Sequence, residues 1–224
     1  MRRTWFPMRL WRMAVRFSFF LYRPQATISD ASMSSPLAQS VSDLSSADAS
    51  KRLAAAGEIY QLGRAAAGSA ISAWWAESEL SALLLGPAPT ITVGLAVERD
   101  TFGRIRIANG TPRLADVPPD QDAEEFELHF AGGISLDILT TREPGGSGAI
   151  AKYLAKFGDG IQQVEFRCSN VDRATQILKD KFGVTSVYPA TRHGSDGTRV
   201  NFFLVASPDG GKVLIELYEL QFRG

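Results

Sequence analysis

The sequence predicts an α+β fold in which a helical segment precedes a run of β-strands interrupted by short helices. Three observations carry that reading. Between Ser46 and Leu85, apolar residues such as Leu53, Ile59, Leu62, Ala66, Trp74 and Leu84 recur near the 3.6-residue period of a helix face. From Thr90 onward, short stretches alternate apolar and polar residues with the period of two that a half-buried strand requires. Glycine and proline clusters, at Gly86-Pro87, Ala131-Gly132-Gly133 and Pro208 to Gly211, punctuate these stretches as turns.

The chain begins with a basic stretch. Arg2, Arg3, Arg9, Arg12, Arg16 and Arg23 precede the first acid, Asp30, and a serine-rich run follows. That composition is targeting-like, compatible with a mitochondrial presequence, with a coding extension ahead of a start at Met33, or with a basic surface-binding arm. Its apolar run, Phe17 to Tyr22, is far shorter than the roughly 20 residues that a membrane span needs. Residues 1–45 are therefore expected to lie outside the folded core, followed by a helical segment over 46–88. The small residues Ala65, Ala66, Ala67, Gly68 and Ala70 allow a close helix contact, and Trp74-Trp75 reads as a packing anchor.

Residues 89–157 read as a first half-module. Thr90 to Val97 alternates as a strand, and Asp100 to Ala108 reads as a short helix that Asn109-Gly110 can close with a left-handed cap. Pro112, Pro118 and Pro119 confine Thr111 to Asp122 to a loop or extended edge. Glu124 to Phe130 and Ile134 to Thr140 form a hairpin, and Ala149 to Phe157 a helix. Residues 158–221 form the clearer module. A strand from Ile161 to Cys168 leads into a helix from Val171 to Phe182, and strands follow at Val184 to Tyr188, Arg199 to Ala206 and Lys212 to Tyr218.

Composition narrows the function. Lys plus Arg and Asp plus Glu balance at 24 each, so no global field favours nucleic acid. The single cysteine, Cys168, permits no intramolecular disulfide and no cysteine metal cluster, which fits a reducing compartment, cytoplasm or mitochondrial matrix, rather than secretion. Only His129 and His193 offer imidazoles, so a metal site would lean on oxygen ligands. On the strand from Ile161, Val164, Phe166 and Cys168 pack on the helix, which turns Gln163, Glu165 and Arg167 to the other face. Glu216, inside the run VLIEL, is a carboxylate that needs a metal, a cation or a proton if buried, or else an arginine such as Arg167 or Arg199.

The stretches GDGIQQVEFRC, Gly158 to Cys168, and GGKVLIELYE, Gly210 to Glu219, resemble the vicinal oxygen chelate superfamily (glyoxalases, bleomycin-resistance proteins and extradiol dioxygenases), closest to methylmalonyl-CoA epimerases. The resemblance implies paired βαβββ modules forming a cupped, mostly antiparallel sheet, here with an added N-terminal helical segment. It also implies a homodimer and a metal-assisted isomerase or lyase acting on an acyl-CoA or similar carbonyl compound. The alternative within the same fold is a non-catalytic protein that sequesters a small molecule.

Family metal ligands fall on the first and last strands of each module. Carried over residue by residue, they place Thr92 and Gln163 where the family has histidines, and Asp137 and Glu216 at the remaining two positions. Such an oxygen set suits a hard divalent ion, Mg, Mn or Ca, and the loss of both histidines also makes an empty site consistent with the sequence. Asp120 and Glu165 are the expected acid/base residues. His129, His193 and Arg199 are the expected substrate contacts, His129 by strand alternation and His193 by its place in the loop RHGSDGT.

Overall fold

The computed structural model describes residues 35–85 and 89–221. The targeting-like segment, up to residue 34, lies outside them. The folded part begins earlier than residue 46. Helix α1 (Pro36–Asp43) starts on a Ser35 side-chain cap with proline in its first turn, and the Ser40 hydroxyl donates to Glu58 at 2.5 Å. Val41 and Leu44 are buried in the main core, so hydrophobic burial recruits residues that their serine-rich setting disguised.

Helices α2 (Ala49–Ala66), α3 (Gly68–Ala76) and α4 (Ser78–Leu83) follow. They lie on one face of a seven-stranded sheet built from β1 (Ile91–Ala96), β2 (Glu124–Phe130), β3 (Ile134–Thr140), β4 (Gly160–Arg167), β5 (Arg192–His193), β6 (Arg199–Ala206) and β7 (Lys212–Glu219). The strand order is β2-β3-β1-β4-β7-β6-β5. Helices α5 (Arg99–Ala108) and α7 (Val171–Phe182) cover the same face as α2 to α4, and α6 (Ala149–Phe157) lies on the opposite one.

The covered face holds the core. Trp74 is fully enclosed and meets Phe166 and Phe203 edge-on at 5.7 and 6.3 Å, and Trp75 meets Phe166 at 5.3 Å. The tryptophan pair thus anchors the helical segment to the sheet. Helix α2 approaches the sheet closely at Gly63, where a Cβ would stand 2.5 Å from a Val93 methyl. Ala66, Ala67 and Ala70, among the small residues expected to allow a close helix contact, are buried in the same core.

One expected strand is different. Val184 to Tyr188 contributes only the Ser186–Phe203 bridge and a Val187 N–H bond to the Phe202 carbonyl, and the module's short strand is β5 instead. The Ser186 hydroxyl bonds locally to the Tyr188 carbonyl at 2.6 Å, and Pro189 offers no N–H to continue a ladder.

The other face of the sheet is left concave. Helix α6 packs Ile150, Tyr153 and Leu154 against Ala96 and Leu139 at one side, and the remainder opens as a cavity of about 1140 Å³.

Candidate functional site

The two halves of the sheet repeat one another. At the centre β1 and β4 run antiparallel, with Val93 opposite Val164 flanked by the pairs Thr92–Glu165 and Gly94–Gln163. A twofold turn about that centre exchanges Thr92 with Gln163 and Gly94 with Glu165. Outward from it, Gly94 pairs with Asp137 of β3 just as Glu165 pairs with Glu216 of β7. Each half runs strand, helix, then strands that return beside the first: β1-α5-β2-β3 and β4-α7-β5-β6-β7. In the first half the segment before β2 substitutes for the missing strand, through an Ala115 N–H bond to the Glu125 carbonyl.

The chain has the vicinal oxygen chelate fold. Among solved structures it is similar to methylmalonyl-CoA epimerase from Mycobacterium tuberculosis, at 30% identity over 58% of this chain and 86% of that one, with a TM-score of 0.48. It is also similar to Streptomyces coelicolor methylmalonyl-CoA epimerase in complex with 2-nitronate-propionyl-CoA, at 24% identity over 58% and 96% of the two chains and a TM-score of 0.47. A hypothetical protein from Bacillus halodurans C-125 gives 22% identity, 59% and 94% coverage, and a TM-score of 0.48. No protein-family model and no curated protein matches.

In this vicinal oxygen chelate cup, period-two alternation delivers Asp137, Gln163, Glu165 and Glu216 to the floor. Gln163 ties the second half together: its amide N–H group donates to Glu165 Oε1 at 3.0 Å and to Glu216 Oε2 at 2.7 Å. Gly94 makes room for it, since a Cβ there would stand 2.4 Å from Gln163 Cγ. Glu125 and Glu127 of β2 extend the acidic lining toward the mouth.

Burial and crowding of like charges shape the acids. Burial pushes the Glu165 carboxyl up to about 8, against the pull of the Gln163 bond, and the neighbouring glutamates add to it. Burial, followed by neighbouring glutamates, raises Asp137 and Glu216 well above the ordinary carboxylate range. Glu125 rises for the same first reason, opposed by a bond to Ser195. Burial also lifts the Tyr218 phenol to about 12, so it faces the cup as a neutral hydrogen-bond donor. No arginine forms an ion pair with Asp137, Glu165 or Glu216 among the described residues. Arg199, one of the two arginines considered for Glu216, instead binds Asp172 at 2.5 Å and Glu219 at 3.5 Å.

The mouth is strapped by the loops before β2 and around β5. Arg113 reaches Asp196 at 2.5 Å, the Asp196 N–H donates to the Asp116 carbonyl while the Asp116 N–H donates to the Asp196 carboxylate, and Gln121 donates to the His193 carbonyl at 2.7 Å. Asp196 adopts φ 50°, the left-handed region, which directs its carboxylate back toward Arg113 and the Asp116 N–H.

The expected residues divide accordingly. Asp137, Gln163, Glu165 and Glu216 share the floor, and Asp120 stands on the rim, exposed and paired with Arg192 at 2.8 Å. Thr92 is buried beside Glu165 in register but does not line the cavity. His129 is exposed, bonded to Ser135 at 3.1 Å and Glu127 at 3.0 Å, outside the cup. His193 and Arg199 also fall outside its lining.

Alternation missed Gln162. A register shift between Gly94 and Leu95 bulges β4 there, so Gln162 lines the cup next to Gln163. Nothing in the sequence marks the bulge. Tyr153 and Phe157 fall within the helix expected over Ala149 to Phe157, and the structure makes them a wall of the cup.

A hard divalent ion needs several oxygen donors meeting at about 2.0–2.6 Å. Among the described residues, no group of three or more His, Cys, Asp or Glu side chains converges in that way. The physical reason lies in the donors: Thr92 does not reach the cavity, and Gln163 turns N–H, not oxygen, toward both glutamates. The four residues expected as ligands do not fit a metal ion as arranged.

Proposed function

We propose that the cup is an active site for moving a proton beside a carbonyl group, an isomerase or lyase reaction on a small carbonyl compound. The observation that carries this reading is the buried Glu165–Gln163–Glu216 triad at the base of a cavity large enough to enclose such a substrate. A carboxyl held near pH 8 has both protonation states available at neutral pH, the condition under which a general acid/base works best. Its ionised form takes the proton from the carbon, the C–H electron pair passes to the carbonyl oxygen as an enolate, and the protonated form returns the proton.

Gln163 holds Glu165 in place while sharing its second N–H with Glu216, which buffers the charge as Glu165 cycles. Tyr218 supplies a hydrogen-bond donor on the same wall. Asp120, tied to Arg192 on the exposed rim, is better placed to hold the mouth than to reach a carbon on the floor. The sequence resemblance to methylmalonyl-CoA epimerases supports the same class of proton transfer.

The test is solvent exchange. A panel of acyl thioesters and ketones is incubated with the protein in D₂O, and loss of the proton signal beside the carbonyl is followed by NMR. Glu165→Gln is expected to slow exchange by about 100-fold or more, the usual contribution of a positioned acid/base. A protein that only sequesters its ligand would bind members of the panel without exchange, and Glu165→Gln would leave that binding intact.

A further inference from the structure

The two halves of the floor are not equally satisfied. In the second half, Glu165 and Glu216 each accept an N–H from Gln163. The equivalent of Gln163 in the first half is Thr92, which does not line the cup, and the equivalent of Glu165 is Gly94, which has no side chain. Asp137, the partner of Glu216 under the twofold, is 6% exposed and its Oδ1 has no hydrogen-bond partner. Five buried side-chain polar atoms among the described residues lack a partner, and two of them, Asp137 Oδ1 and Gln162 Oε1, belong to residues that line the cup. Both are acceptors.

An acceptor buried without a donor costs about 1–3 kcal/mol, more when charged, so a ligand that supplies N–H groups gains what the empty floor forfeits. Charge decides the kind of donor. Acidic side chains outnumber basic ones nine to five around the cavity, and the pairs Arg113–Asp196 and Arg192–Asp120 leave that excess of four unchanged.

We propose that the substrate of this cup carries a cationic nitrogen, an ammonium or guanidinium group, that docks on Asp137 Oδ1 in the first half of the floor while Glu165 works on the carbon in the second. This rests on the reading of the cup as a proton-transfer site and adds the class of substrate: a carbonyl compound bearing an amine or guanidine. Asp137 is then the specificity-determining residue. An ammonium needs only one or two acceptors at hydrogen-bond distance, a demand that the floor meets where it does not meet a metal ion's.

The experiment is a charge series that needs no knowledge of the natural substrate. Benzylammonium, benzyl alcohol and benzoate are titrated at pH 8 into the wild-type protein and into Asp137→Asn, with binding read by calorimetry and by ligand-observed NMR. The expected result is saturable binding of benzylammonium at least tenfold tighter than benzyl alcohol, exclusion of benzoate, and loss of the tenfold preference in Asp137→Asn.

Equal affinity for the ammonium and the alcohol, preference for benzoate, or an undiminished preference in Asp137→Asn would each overturn the proposal. So would stoichiometric binding of Mg²⁺ or Mn²⁺ that Asp137→Asn abolishes. If Asp137→Asn melts too early to be assayed, the wild-type series alone decides. Glu165-dependent exchange on carbonyl compounds without any ammonium preference would sink this inference and spare the proton-transfer reading. Ammonium preference with no exchange on any carbonyl compound, amine-bearing ones included, would sink that reading and leave Asp137 as a cation-docking residue.

Discussion

Replacing Glu165 by Gln should stabilise the protein, and by an amount that grows with pH. Gln keeps the shape and the oxygen that accepts the Gln163 N–H, but it removes a carboxyl that is 8% exposed. Glu165 is raised from an ordinary 4.5 to about 8 in the folded protein. Over that interval the folded state holds a proton that the unfolded state has released, so wild-type stability falls as pH rises from about 4.5 through 8 and then levels off. At about 1.4 kcal/mol per pH unit, the full fall attributable to this group is on the order of 5 kcal/mol. Asp137 and Glu216 are raised for the same reason, so their contributions carry the same sign.

The assay is urea unfolding of wild type and Glu165→Gln at pH 5, 7 and 9. The two should be nearly equal at pH 5, and the variant should be more stable by several kcal/mol at pH 9, about 2–4 °C in Tm for each kcal/mol. A wild type whose stability holds or rises from pH 5 to pH 9, with a variant that tracks it, would refute the reasoning.

Further outcomes follow from the same geometry. The exchange rate should rise with pH toward a midpoint near 8 as Glu165 ionises, and Glu165→Gln should erase that limb of the profile. Gly94→Ala sets a methyl 2.4 Å from Gln163 Cγ, so it should cost about 1–3 kcal/mol in unfolding experiments and slow exchange by displacing Gln163. Trp74→Ala removes the ring wedged against Phe166 and Phe203, and should cost about 3–5 kcal/mol by the same measurement. Elemental mass spectrometry of protein purified without a His tag should find less than stoichiometric divalent metal, and chelation should leave exchange unchanged. Stoichiometric metal, lost in both Asp137→Ala and Glu216→Ala, would contradict the donor-set argument.

The strand from Ile161 shows what a sequence can disclose about such a site. Its alternation alone separated Val164, Phe166 and Cys168, which lie in the core, from Gln163, Glu165 and Arg167, which line the cup. The same rule does not bring Gln162 into the cup, because a bulge is a tertiary accommodation between β1 and β4 and leaves no mark in the pattern of either strand. The carry-over of Thr92 and Gln163 to equivalent positions is what the twofold register of the sheet displays. What it could not disclose is reach: Gln163 turns into the second half of the floor, and Thr92 stops short of the cavity. Val41 and Leu44 were hidden by their serine-rich neighbours, since burial depends on where α1 docks and not on local composition.

The most direct test of the proton-transfer site is carboxyl NMR on protein labelled with ¹³C at the glutamate and aspartate side chains, with signals assigned through Glu165→Gln, Glu216→Gln and Asp137→Asn. The account predicts a Glu165 signal that titrates near pH 8, Asp137 and Glu216 signals displaced upward from the ordinary carboxylate range, and movement of all three when a carbonyl ligand enters the cup. Three carboxyls that titrate together near pH 4 and ignore ligand would contradict it.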